Sequence, residues 1–164
     1  GRDASDVELA FLARVNEYRA QGYDCGGAAT PVAGPLAWDG ELADFAMGHT
    51  ADVLQRTDLY PAYSDLHLYP GLTQWSYRLP LAGYGSVGEV LQRSISTSTS
   101  STKLQPRTLT AVDGQEAADI FMMQSVGHCK ILMNQYANYL GAGITAASIT
   151  DHSYGVVTTA DVRA

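Results

Sequence analysis

Three side chains in this 164-residue sequence combine useful chemistry with suggestive placement. His128 stands beside Cys129 in the run Phe121 to Asn134, FMMQSVGHCKILMN, at the mouth of a helical segment. Upstream, His67 lies in a loop rich in Tyr and Pro, and Glu89 follows Gly88 where a β-prone run opens. Two imidazoles and a carboxylate can build a metal site or a proton relay. In the first case His67 and His128 bind a divalent ion such as zinc at about 2.0 to 2.1 Å. Glu89 is then a third ligand or the base for a bound water, and three protein groups leave an open position. In the second, Glu89 hydrogen-bonds one protonated imidazole and ties strand, loop and helix together. The residues alone leave both readings open.

Ser125 precedes His128 by three positions, which invites comparison with a Ser-His-Glu hydrolase. No nucleophile-elbow motif surrounds it, and a serine between two helical runs is better explained as a cap that binds backbone. Two further histidines take no role: His49 falls on the apolar stripe of a helix, and His152 in a hairpin loop. Tyr60, Tyr63, Tyr69, Trp75 and Tyr77 surround His67 in sequence. They either line a groove for a lipid, glycan or peptide or pack the long loop down.

The only two cysteines, Cys25 and Cys129, are too far apart for a CxxC pair, so the sequence favours a disulfide over buried free thiols. Closing a loop of that length stabilises by about 4 to 5 kcal/mol in the chain-entropy treatment. It also places the protein in an oxidising compartment, periplasmic or extracellular. No apolar run reaches the length of a membrane helix, and GRDASDVELA lacks a basic-then-apolar leader, so an exported protein would be numbered here in its mature form. A net charge of -7 with scattered Lys and Arg argues against nucleic acid as a partner.

Length and a 46% hydrophobic content are consistent with one domain, residues 1–164, that buries a sizeable core. Ser5 and Glu8 form a capping box before Val7, Phe11, Val15 and Tyr18, a helical face that stops at Gly22. Residues 26–35 read as a loop. Asp39 caps a second helix carrying Leu42, Phe45, Ala46, His49 and Val53. Residues 57–70 are irregular, and Gln74 to Leu79 could form a short helix. Val87 to Leu91 reads as a strand that runs into a Ser/Thr tract, Ser94 to Thr102, taken as a solvated connection or an exposed edge extension. Asp113 and Glu116 form another capping-box pattern, for a helix ending near Ser125; His128 to Met133 makes a further helical turn. Leu140 to Ile149 and Tyr154 to Ala160 are β-prone about the loop Thr150 to Ser153. Helices, a strand, a helix and a hairpin predict an α+β domain whose helices cover a small, mainly antiparallel sheet.

The order N-E-Y-R-A-Q-G (Asn16 to Gly22), P-L-A-W-D-G-E-L (Pro35 to Leu42), His67, Arg78 with Gly83-Tyr84, Gly88-Glu89, S-V-G-H-C (Ser125 to Cys129) and G-A-G-I (Gly141 to Ile144) resembles the CAP superfamily. That group comprises the cysteine-rich secretory, antigen 5 and pathogenesis-related 1 proteins, or SCP-domain proteins. The match covers nearly the whole chain and is closest to the bacterial secreted branch.

The resemblance implies an α-β-α sandwich with a central cleft, at which two histidines and two acidic residues converge and some members bind a divalent metal. Carried over, the histidines are His67 and His128, and the carboxylate of the Gly-Glu-Asn motif is Glu89. The second acidic position falls at Ser125. Val90 stands where the motif has Asn, removing an amide that could have bonded across the cleft. Phe121-Met122-Met123 replaces a Trp-bearing stretch. The expected function is therefore an exported CAP-domain protein whose cleft, with His67, Glu89, Ser125 and His128, binds a small ligand such as a lipid, a partner, or a weakly held divalent metal. The alternative is a metal-assisted extracellular hydrolase or peptidase with Glu89 as general base and His128 beside it.

Overall fold

The computed structural model describes residues 1–56, 60, 66–69, 73–74 and 87–164. Its centre is a four-stranded sheet in the order β3 (Ala37–Trp38), β7 (Tyr139–Thr150), β8 (Ser153–Arg163) and β6 (Val87–Thr97). The three long strands pair antiparallel, and β3 joins β7 in parallel. One face carries α1 (Asp6–Gln21), α3 (Ala111–Gln124) and α4 (Val126–Leu132); the other carries α2 (Gly40–Gln55). The result is of α+β class, as the order of elements predicts, and an α-β-α sandwich, as the resemblance implies.

Strand alternation sorts residues between the layers. The cross-strand row Val90, Ala160, Ala142 joins Phe11 and Val15 of α1 and Phe121 of α3 in the larger core. The adjacent row Glu89, Asp161, Gly141 points the other way, toward α2, as does Leu91, which packs with Val53 and Leu54. Two glycines let α2 approach the sheet backbone to backbone: a Cβ on Gly141 would lie 2.2 Å from the Ala43 nitrogen, and one on Gly143 2.4 Å from the Met47 Cα.

The capping box of α1 forms as expected, with Ser5 accepting from the Glu8 amide. Glu8 is also the anchor of α1 to the sheet. Fully buried, it binds the Arg2 guanidinium through both oxygens at 2.8 and 2.9 Å and accepts the Ile144 amide at 3.0 Å. Burial pushes its pKa up, but Arg2 and the backbone amides of Ser5 and Ile144 outweigh that and leave it below the ordinary value.

Several boundaries differ from the sequence expectation. The loop assigned to residues 26–35 opens with a hairpin, β1 (Tyr23–Cys25) against β2 (Ala28–Thr30), turned by Gly26 and Gly27 at φ of 64° and 91°. Positive φ at both turn residues is what a two-residue hairpin loop of this hand requires. The cap of α3 is Thr110, one turn before the expected start, and Asp113 is its reciprocal partner. β6 continues past Leu91 to Thr97, because β8 pairs with it down to Ser153 whatever its side chains are. Its last four residues are exposed on the sheet's outer edge, so the Ser/Thr tract begins as an edge extension. Thr73–Gln74 pairs as a strand, β5, with β4 (Leu68–Tyr69), where a helix had been expected to begin; residues 75–79 lie outside the described residues.

Candidate functional site

His67, Glu89 and His128 come from three elements and meet at the β6 side of the sheet. Glu89 is fixed by β6 and buried on the α2 face, its side chain wholly covered. His67 donates or shares a proton through Nδ1 with Glu89 Oε2 at 2.7 Å, and its side chain stays 27% exposed, so it forms the outward end of the pair. The turn bearing His67 is held from below: the carbonyl of Leu66 meets His49 Nε2 of α2 at 2.5 Å. His49 is thus a buried, bonded imidazole that positions the loop, in line with its lack of an assigned role.

His128 sits on α4, a helix of seven residues, too short to hold itself. Three tethers fix it. Cys129 is disulfide-bonded to Cys25 of β1, with both residues buried. Ser125 caps the helix, its Oγ accepting the His128 amide at 3.2 Å. Arg19, fully buried, donates to the carbonyls of Leu132 and Asn134 at 2.8 Å each and to Ala137 at 3.1 Å, gripping the helix end. The His128 ring then lies edge-on to Phe121 with centroids 5.1 Å apart, and 6.5 Å from the ring of His67. Burial, then the neighbouring His67, lower the His128 pKa, which favours the neutral imidazole.

Not every sequence expectation finds its place here. Ser125 Oγ faces a backbone amide, and no bond joins it to an imidazole, so a Ser-His-Glu relay is not assembled. Val90 is fully buried in the larger core, on the face of the sheet opposite Glu89. Tyr60 packs against Val53, Leu54 and Leu91 and donates to Asp52 at 2.7 Å, which is the loop-packing alternative. Tyr63, Trp75, Tyr77, Arg78, Gly83 and Tyr84 lie outside the described residues, as does the side chain of Tyr69.

Among the described residues no three His, Cys, Asp or Glu side chains are arranged to hold a metal, and His67 meets Glu89 through Nδ1, the kind of contact that fixes the orientation of an imidazole ring. The hydrogen bond between His67 and Glu89 that one reading of the sequence expects is present. Sequence reasoning missed a fourth group. Asp161 of β8 is the direct cross-strand neighbour of Glu89 and is completely buried. A crevice of about 290 Å³ elsewhere, between α3 and the sheet, is lined by Gln92, Ile144 and Thr158 on the face away from Glu89 and is not part of the site.

The fold is the one that CAP-type proteins have. Among solved structures, BmVAL-1 is similar over 98% of this chain and 78% of its own, with a TM-score of 0.59 and 13% sequence identity. Na-ASP-1 is similar over 95% of this chain, with a TM-score of 0.55 and 16% identity; this chain spans 38% of the length of Na-ASP-1. No family model matches the chain, and no curated protein matches it either. No helix among the described residues is long and apolar enough to cross a membrane.

Proposed function

We propose that this chain is an exported member of the CAP superfamily, of its bacterial secreted branch, whose cleft binds a small ligand without turning it over. The observation that carries the reading is the meeting of His67, bonded to buried Glu89, with a neutral His128 across a gap of 6.5 Å between ring centroids. Such a pair offers a ligand one imidazole bonded to a carboxylate and one whose neutral form is favoured, both partly reachable from solvent. Export is supported by the buried disulfide, which persists in an oxidising compartment. Catalysis by Glu89 as general base has less support, because its side chain is covered and one oxygen is bonded to His67. The net charge of -7 speaks against nucleic acid.

The test is titration of the purified protein with fluorescent fatty acids and sterols, and separately with zinc, in wild type and His128→Ala. Saturable lipid binding, weakened at least tenfold by His128→Ala, is expected. Zinc binding with the same dependence would instead favour a chelate at the two imidazoles. Lipid binding indifferent to His128→Ala, or no binding of either kind, would remove the reading.

A further inference from the structure

Among the described residues, Asp161 is a buried group near the site that neither the packing nor the proposed cleft explains. It is 0% exposed, and neither of its carboxyl oxygens meets an N–H or O–H donor among the described residues. Its row on the sheet is Glu89, Asp161, Gly141. Gly141 contributes no side chain, and the backbone of α2 lies directly over it. Among the described residues the groups that act on Asp161 electrostatically are Glu89 from β6 and His67 beyond it. A charged carboxylate with no donor costs several kcal/mol on burial, about as much as burying an unpaired ion. Two ionised carboxylates side by side would add repulsion.

Asp161 and Glu89 are direct cross-strand partners, both buried on the α2 face, so their carboxyl groups lie side by side, and among the described residues a proton held by the pair is the donor that remains. His67 decides which of them keeps it. Its Nδ1 lies 2.7 Å from Glu89 Oε2, and an N–H donor stabilises the ionised form of the group it touches. We propose that Asp161 is a carboxylic acid that donates its proton to the Glu89 carboxylate, so that Asp161, Glu89 and His67 form one hydrogen-bonded chain. Asp161 is then a positioning residue: by engaging one side of the Glu89 carboxylate from the buried end, it orients the oxygen that binds His67 at the exposed end. Burial, followed by the charge of Glu89, pushes the Asp161 carboxyl well above its ordinary range, in agreement with this assignment. The chain of bonds holds whether or not the cleft takes a ligand, so it stands apart from the proposed function.

Carbon NMR of protein labelled selectively at aspartate tests it at pH 7. One Cγ resonance is expected at the position of a neutral acid, and it should vanish in Asp161→Asn. In histidine-labelled protein, the low-field imidazole N–H signal that disappears in His67→Ala should survive Asp161→Asn, whose amide still donates, and be lost in Asp161→Ala. An Asp161 carbon at the carboxylate position overturns the proposal, and the wild-type spectrum decides this even if Asp161→Ala fails to fold. So does a His67 signal unchanged in Asp161→Ala.

Discussion

Removing the Cys25–Cys129 bridge is the most quantitative perturbation the structure offers. The bond joins residues 104 apart and holds α4, with His128 beside the cysteine, to the β1–β2 hairpin. On the loop-closure account the entropy it removes from the unfolded chain at that separation corresponds to about 4.7 kcal/mol at 25 °C. The double variant Cys25→Ala/Cys129→Ala keeps two small apolar residues where both sulfurs are buried, so it adds no unpaired polar group. At this chain length 1 kcal/mol moves the melting midpoint by about 2–4 °C, so a fall of roughly 10–20 °C is expected. Urea unfolding followed by far-ultraviolet circular dichroism gives the free energy directly, with a steeper denaturant slope because the unfolded chain loses its cross-link. Reduced wild type should fall with the double variant. A loss below about 1 kcal/mol in both would refute the loop-closure reasoning and mean that the unfolded chain keeps its ends together without the bond.

Gly114→Ala should destabilise although alanine is the better helix former, because the new Cβ would sit 2.0 Å from the Val7 carbonyl oxygen of α1; a loss of about 1–3 kcal/mol in urea is expected. Glu8→Gln breaks the buried pair with Arg2 and should cost about 3 kcal/mol or more, with the melting midpoint as readout. Asp39 caps α2 and binds Arg163 at 2.7 Å; burial raises its pKa, but the Leu42 amide and Arg163 bring it below the usual 3.8. A folded pKa below the unfolded one means its contribution is complete above 3.8 and lost as the pH falls through the folded value, so Asp39→Asn should flatten the acid limb of the stability curve. Asp161 runs the other way. Its folded pKa is raised, so wild type loses stability as pH climbs above 3.8, by about 1.4 kcal/mol per unit until the folded value is reached. Asp161→Asn should therefore gain on wild type between pH 4 and pH 7, measured by parallel urea titrations.

How much of this could be read beforehand depended on whether a signal was local. The Ser5/Glu8 box, the Asp39 cap and the hairpin about residues 150–153 are written in adjacent residues, and each formed as read. The Thr110 cap was displaced by one turn because Asp113 fits either as a cap or as the reciprocal partner three residues on. The meeting of His67, Glu89 and His128 was legible through the order of motifs; the bond between His67 and Glu89 was one of two open readings. Asp161 was not legible. In sequence it is one polar residue in a strand of Thr and Val, and only the β6–β8 register, a long-range pairing, puts it against Glu89. Val90 follows Glu89 in sequence, but strand alternation sends the two to opposite faces of the sheet, which is again a matter of register.

The two glycines beneath α2 have a consequence for altering this protein. Gly141 and Gly143 receive the helix at Ala43 and Met47, one turn apart, so the two notches lock both its sideways position and its rotation. A larger residue in either notch would lift the helix, and with it His49, the peg on which the His67 turn hangs. Libraries built to retarget the molecule should therefore hold these two positions constant and vary the uncovered rim of β6 from Ser94 to Thr97, where a new side chain disturbs no layer beneath it.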